Sequence, residues 1–423
     1  MNISVFSDDP VMNLSVGIFL VLFSFLLFLS GTHLLALFRR ERRWPRKDEP
    51  VTVIIPAYNE EKNIGRCLRS VLDSDYEKMQ VIVVDDQSAD RTAEIVKKMI
   101  ADNTSADICL IRGSHKGKSA SLNSGIAKSK YRYILTVDAD VIVEQDTIAK
   151  MVAPLQDGRV SATNCIAVIR DPKGLIEEYQ RIEFFLNNLI RVSFSRVFGN
   201  SIWFFGAVAC YKRDVLEKIG YFKKDTLTED MDICLEMYLA RYKVVTVADA
   251  VISTRACGTL KGLFAQRMRW YFGALQSLVK NRRLLRLQKG SPSVLFLFFN
   301  QFWWTFFSFI FLPIIIYQVS YWWPGQGFYG NLLYLIRWFS LWGPFYVLYK
   351  IPEWGISLLN IFGVLSGIIT LLLTASALRM FSGRPRLMTA IAVVFYFPYT
   401  IVINLIIVSG VIKYLRSKKK YFS

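Results

Sequence analysis

Asp138 and Asp140 flank a single alanine directly after the apolar run Tyr133–Val137. Residues i and i+2 of an extended chain point to one side, so both carboxylates would converge just past a strand end. Hard divalent cations take oxygen ligands, and Mg2+ is commonly held by one or two carboxylates with phosphate oxygens completing its shell. An isolated Asp-x-Asp is also compatible with a solvated turn, but a position after a buried strand favours the cation. Asp85 and Asp86 close a second apolar run, Val81–Val84. Ser88 or Asp90 would cap the helix that follows, leaving Asp86 free to accept hydrogen bonds from a ligand such as a nucleobase. Thr228-Glu229-Asp230 stands beside Asp232. Such acids are either cap and loop residues or the source of a general base within reach of a hydroxyl. In Gln266-Arg267-Met268-Arg269-Trp270, helical spacing puts Gln266, Arg269 and Trp270 on one face while Met268 points elsewhere. That face offers an amide, a planar cation suited to phosphate oxygens and an indole on which a sugar ring could stack. With Leu260, Leu263, Phe264 and the bases Lys280, Arg282, Arg283 and Arg286, the stretch reads equally as a helix lying on lipid.

The elements that must position these groups follow from periodicity. Val51–Ile55, Val81–Val84, Ile108–Ile111 and Tyr133–Val137 are short apolar runs. Helical patterns separate them at Glu60–Asp73, Ala89–Ala101 and Lys118–Ser129. Uninterrupted apolar strands alternating with helices imply a parallel sheet covered on both faces. Ligands of such sheets bind beyond the carboxyl ends of the strands, where Tyr58, Asn59, Glu60, Asp85, Asp86, Asp138 and Asp140 all fall. The glycine patterns of dinucleotide and P-loop sites do not occur, so neither cofactor is supported.

The chain has 423 residues, 53% apolar and 14% aromatic, with a formal net charge of +18. That composition excludes disordered and low-complexity classes, and six cysteines without CxxC spacing support neither a disulfide framework nor a zinc site. A basic chain this hydrophobic reads as a membrane protein with cationic cytosolic flanks; nucleic-acid binding leaves the apolar runs unexplained. Val11–Phe38 carries no charge and is followed by Arg39, Arg40, Arg42, Arg43, Arg46 and Lys47. By the positive-inside bias it is an anchor over residues 1–48 with the N-terminus outside. Residues 49–257 form a soluble cytosolic segment, and 258–290 an interfacial helix. A C-terminal bundle over 291–423 is expected to hold spans near 293–320, 331–349, 355–378 and 388–412, five in all with the anchor. This arrangement would keep the basic tail Lys413–Lys420 cytosolic but place Arg379, Arg384 and Arg386 outside, against the bias; if 331–349 only lies in the interface, that loop moves inside and the Lys-rich tail moves out.

In order the chain carries IIPAYNEE, VVDDQSADRT, HKGKSASLNSGI, TVDAD, FFGAVACYK, TED and QRMRW, then apolar spans. Over about Val51 to Gln276 this resembles the processive family 2 glycosyltransferases, membrane synthases of poly-N-acetylglucosamine, hyaluronan, cellulose and chitin. Its pattern is most similar to that of the bacterial poly-β-1,6-N-acetylglucosamine synthases. The resemblance implies an α/β GT-A domain, Rossmann-like with a mostly parallel sheet, inserted between transmembrane helices and joined to interfacial amphipathic helices. It implies that Tyr58, Glu60 and Asp86 hold the uridine of a UDP-sugar and that Lys118 approaches the diphosphate. Asp138 and Asp140 would bind Mg2+ or Mn2+, and Asp230 would be the base activating the acceptor hydroxyl. Gln266, Arg269 and Trp270 would position donor diphosphate and acceptor sugar; Phe205, Gly206 and Glu229 would line the acceptor end. The implied protein is a multi-pass enzyme of the plasma (inner) membrane. It would polymerise a UDP-sugar, N-acetylglucosamine before others, and pass the growing polysaccharide through the lipid, alone or with a small accessory membrane subunit. Trp303, Trp304, Trp322, Trp323, Trp338 and Trp342 would suit that passage, and they suit an interfacial aromatic belt equally well. A hyaluronan-, cellulose- or chitin-type synthase, a transferase moving one sugar onto a lipid phosphate, and a transporter or scaffold with a degenerate domain are the alternatives.

Overall fold

A computed structural model describes residues 10–39, 44–45, 49–202, 206–287, 292–321, 323–325, 327–354, 358–382 and 386–421. Phe205, Trp322, Arg384 and most of the basic flank (Arg40, Arg42, Arg43, Arg46 and Lys47) lie outside the described residues. Eight strands form one sheet: β1 Val51–Ala57, β2 Met79–Asp85, β3 Asp107–Arg112, β4 Tyr133–Val137, β5 Ile142–Val143, β6 Val160–Val168, β7 Val208–Lys212 and β8 Lys243–Ser253. Their spatial order is β3-β2-β1-β4-β7-β6-β8-β5. Helix α1 spans Pro10–Phe38, and α2 Ile64–Leu72, α3 Thr92–Asp102 and α4 Lys118–Lys128 follow the first three strands. Within the sheet domain come α5 Thr147–Val152, α6 Leu175–Phe198, α7 Arg213–Ile219 and α8 Glu229–Leu239. Then follow α9 Leu260–Lys280, α10 Leu284–Leu287, α11 Pro292–Tyr321, α12 Gly327–Trp338 and α13 Trp342–Trp354. The chain closes with α14 Leu358–Phe381, α15 Leu387–Val394 and α16 Tyr396–Tyr421.

The half of the sheet from β3 to β4 is the parallel one expected, and its register places three strand ends in one row. Ala57 pairs with Asp85 and Asp85 with Arg112. Valine and isoleucine fill both faces, with Val53, Ile55, Val81 and Val83 in one core cluster and Ile54, Ile82 and Val84 in the other. The direction then changes: β7 runs antiparallel to β4, pairing Val137 with Val208. Its amino end therefore meets the carboxyl end of β4, and the Asp138 amide donates to the Ala207 carbonyl at 2.8 Å. This reversal brings the segment before Val208 to the acidic edge.

Among the described residues four helical stretches are long and apolar enough to cross a membrane: Asn13–Phe38, Pro292–Tyr317, Asn360–Phe381 and Tyr396–Arg416. The span expected at 331–349 is instead the pair α12 and α13, of 12 and 13 residues. At about 1.5 Å per residue neither reaches across roughly 30 Å of hydrocarbon. The break between them is built in. The Trp342 amide donates to the Ser340 hydroxyl at 3.2 Å and the Leu341 amide to the Val394 carbonyl at 2.9 Å. With this break the connector after α14 turns toward the sheet domain: Arg386 pairs with Asp171 at 3.1 Å, and Arg181 donates to the Ser382 hydroxyl at 2.8 Å.

Candidate active site

Beyond β1 and β2 the chain knots itself together. Asn59 takes a left-handed backbone (φ 54°), its amide donating to Ser88 Oγ at 2.9 Å and its Oδ1 accepting from Ala89 at 2.8 Å. Asp90 accepts from the Glu61 and Thr92 amides, both at 3.0 Å, so it organises the start of α3. Glu60 accepts from Asn63 at 2.7 Å. Burial, then the charges of Asp140 and Asp90, push its carboxyl above the usual range against that bond. Tyr58 is 48% exposed, its ring centroid 5.1 Å from that of His115. Asp86, expected to be left free for a ligand, also serves the protein itself. It is buried, accepts from the Gly117 amide at 2.8 Å, and holds the loop before α4. Gly113 is required beside it, because a Cβ there would stand 2.6 Å from Asp86 Oδ1. A carboxylate has about four acceptor sites, so Asp86 keeps capacity for a ligand.

That loop delivers Lys118 to the centre. Its Nζ lies 2.6 Å from Asp138 Oδ1 and 2.8 Å from Glu229 Oε1, joining the acids after β4 to those opening α8. Burial opposes the Lys118 charge, but Asp138, Glu229 and Asp230 outweigh it and its pKa is raised. Burial pushes Asp138 up to about 7; Lys118 pulls the other way and Asp140 adds to the rise. Glu229 is held below its ordinary value, Lys118 and then Arg269 overcoming its burial. Asp230 is pushed up to about 6 by burial and by Glu229, against Lys118. At Asp138 burial thus outweighs the neighbouring ammonium. Exposed Asp140 completes a two-carboxylate donor set, and no group of three or more His, Cys, Asp or Glu among the described residues could hold a metal. Such a set fits a hard divalent cation whose remaining ligands are phosphate oxygens and water.

Thr228 is the residue at the α8 N-cap position and makes no side-chain cap bond; Glu229 and Asp230 occupy the first turn. Asp232, by contrast, is structural: it pairs with Lys280 at 2.7 Å and accepts from Asn281 at 2.9 Å. Gly206 is pressed against the candidate base, where an added Cβ would lie 2.3 Å from the Asp230 Cβ. Helix α9 closes the other side. A Cβ at Gly273 would lie 2.6 Å from Thr228 Cγ2, and the Leu227 amide donates to Gln276 Oε1 at 3.1 Å. Arg269 is exposed, with its charge acting on Glu229. Trp270 packs partly buried against the core cluster that includes Ala139 and Val208. Met268 points away, toward Gly410 of α16. Gln266 is committed within its own helix, accepting from Arg267 at 2.9 Å. Arg267, which carried no expectation, is buried and lies over the Trp270 ring, 4.3 Å from its centroid. Its i, i+3 spacing from Trp270 was the one signal available.

Residues 52–220 match Glycosyl transferase family 2. That stretch carries Tyr58, Glu60, Asp86, Lys118, Asp138, Asp140 and Gly206, and stops before Glu229 and α9. The chain is 30% identical over 235 residues to "Poly-beta-1,6-N-acetyl-D-glucosamine synthase" of Staphylococcus aureus (strain COL), covering 55% of this chain and 56% of that one. It is 26% identical over the same length to the synthase of that name from Staphylococcus epidermidis. The chain thus spans about half the length of the curated relatives it matches. In overall shape it is similar to the mannosyltransferase PcManGT of Pyrobaculum calidifontis, solved with GDP-Man and Mn2+. That likeness has a TM-score of 0.56 at 20% identity and covers 95% of this chain and 99% of the other. The row of strand ends, the acidic pair after β4 and these likenesses agree: residues 52–220 are a family 2 glycosyltransferase domain.

Proposed function

We infer that the protein is an inverting hexosyltransferase that polymerises a UDP-activated sugar, N-acetylglucosamine before glucose or alternating sugars, and passes the product through its helical half. The observation carrying this is the Lys118 ammonium, which bridges Asp138 and Glu229 while Asp230 stands beside Glu229. Tyr58, Glu60 and Asp86 line the edge where the uridine would lie. Lys118 and Arg269 face the diphosphate. Asp138 and Asp140 would hold Mg2+ or Mn2+, which supplies charge neutralisation for the departing diphosphate. Asp230 takes the proton from the acceptor hydroxyl as its oxygen attacks the anomeric carbon and UDP leaves with the bonding pair. A positioned base contributes roughly 10²–10⁴-fold to such a step. Gly206 makes room for the Asp230 side chain at the acceptor end, Glu229 and Gln266 supply polar surface around the acceptor, and Trp270 stacks on its ring. The domain lies on the cytosolic side of the plasma (inner) membrane with the N-terminus outside. The Arg386–Asp171 pair supports this, because it keeps the basic connector beside the domain.

The test is incubation of purified protein with individual UDP-sugars and Mg2+ or Mn2+, reading UDP and product mass. A metal-dependent ladder from UDP-N-acetylglucosamine is expected. A single added sugar would replace polymerisation with one-step transfer, and no UDP release from any donor would refute the assignment.

A further inference from the structure

Where α6, α9 and α16 meet, charged groups that transfer chemistry does not use lie in the interior. Arg267 Nη2 pairs with Glu183 Oε2 of α6 at 2.8 Å, the two side chains being 8% and 23% exposed. The Tyr399 hydroxyl of α16 donates to the same Glu183 oxygen. Tyr179 stacks on Tyr399 with centroids 5.3 Å apart, closing that side. Burying an ion pair recovers its desolvation cost only when geometry is good and further hydrogen bonds satisfy it, and apolar residues of similar volume often serve stability as well. The placement of this pair is specific: the guanidinium covers one face of the Trp270 indole, leaving only the other to stack on a sugar. Farther along, α16 presses Gly410 on Met268 and Tyr271 and sets Tyr414 against Phe272, 5.7 Å between centroids. Tyr271 also bonds to Thr305 of α11. The helix bearing the tryptophan is thus gripped by the apolar helices, with one polar chain leading to its ring.

We propose that Tyr399, Glu183 and Arg267 form a positioning relay that sets the plane of Trp270 and makes acceptor binding depend on the seat of α16. The relay rests on the reading that Trp270 meets the acceptor. Besides Trp270 it reaches Gln266, to which Arg267 donates at 2.9 Å and which the proposed function places at the acceptor, so its loss acts on the acceptor more than on the donor. The experiment uses the full chain in lipid nanodiscs with UDP-N-acetylglucosamine, Mn2+ and N-acetylglucosamine oligosaccharides. Tyr399→Phe removes only a hydroxyl, and Arg267→Lys keeps the charge but loses the planar fork. Each is expected to raise the acceptor KM about 5-fold, the scale of one lost hydrogen bond, and to shorten the product. Donor KM and acceptor-free UDP release should stay within about 2-fold of wild type. In a Trp270→Ala background, Tyr399→Phe should add nothing, as expected of a group acting through that ring. Wild-type acceptor KM in both variants, or parallel loss of donor hydrolysis and transfer, would overturn the relay, as would full multiplication with Trp270→Ala. Failure of the polymerase reading shows separately, in the wild type: if it adds a single sugar, the acceptor KM for that transfer still decides the relay.

Discussion

A carboxylate works as a general base at neutral pH when its pKa approaches that pH and a proton lies within reach. Asp230 meets the first condition through burial and through Glu229, which bring it to about 6. Because the proposed base would act in its ionised form, transfer should rise with pH through about 6 and fall away below it. Replacing Glu229 removes the second cause of the elevation. The acid limb of the UDP-release profile in Glu229→Gln is therefore expected at lower pH than in wild type; a limb left in place would show that Glu229 does not govern Asp230. Gly206 gives a steric version of the same dependence. Gly206→Ala puts a carbon where the Asp230 side chain stands. A base displaced by about 1 Å can cost on the order of 100-fold. Transfer should fall by about that factor while UDP binding, read by calorimetry, persists; near-wild-type transfer would mean that the two do not share a pocket.

The elements bring these residues together through contacts local sequence does not encode. Gly273→Ala would drive α9 against Thr228 of the segment opening α8. It should lower transfer by about 10-fold or more with membrane insertion unchanged, and unchanged turnover would mean that α9 does not hold the acid triplet. The parallel half was legible because buried parallel strands are unbroken apolar runs: Val51–Ile55, Val81–Val84 and Ile108–Ile111 lie inside β1, β2 and β3. Strand β6 was not, because Ser161, Thr163 and Asn164 interrupt its hydrophobicity although all are buried in the sheet. The acid pair after β4 and the acids opening α8 could be found by type and spacing. Their junction through Lys118 and the service of Asp86 to the loop before α4 could not, because both depend on how that loop folds back. Glu183 lies 84 residues before Arg267 and Tyr399 216 residues after Glu183, so no local pattern joins the three.

At the scale of the molecule, the break between α12 and α13 decides where the later connectors lie. An uninterrupted crossing at 331–349 would put Arg386 across the membrane from Asp171; instead they are paired. In a background with Cys109 and Cys257 replaced by serine, Arg386→Cys and Lys173→Cys should react with an impermeant maleimide from the same side of sealed vesicles. Labelling from opposite sides would restore the extra crossing. The likeness to PcManGT extends over 95% of the chain, so the helical half belongs to the same overall architecture as the sheet domain. In the proposed reaction Asp230 is the residue on which the chemistry turns. The most direct measurement is UDP release and product formation from UDP-N-acetylglucosamine with Mn2+, comparing wild type with Asp230→Asn at matched UDP affinity. Metal-dependent product from wild type and none from the variant is the expected result; turnover retained by Asp230→Asn would contradict it.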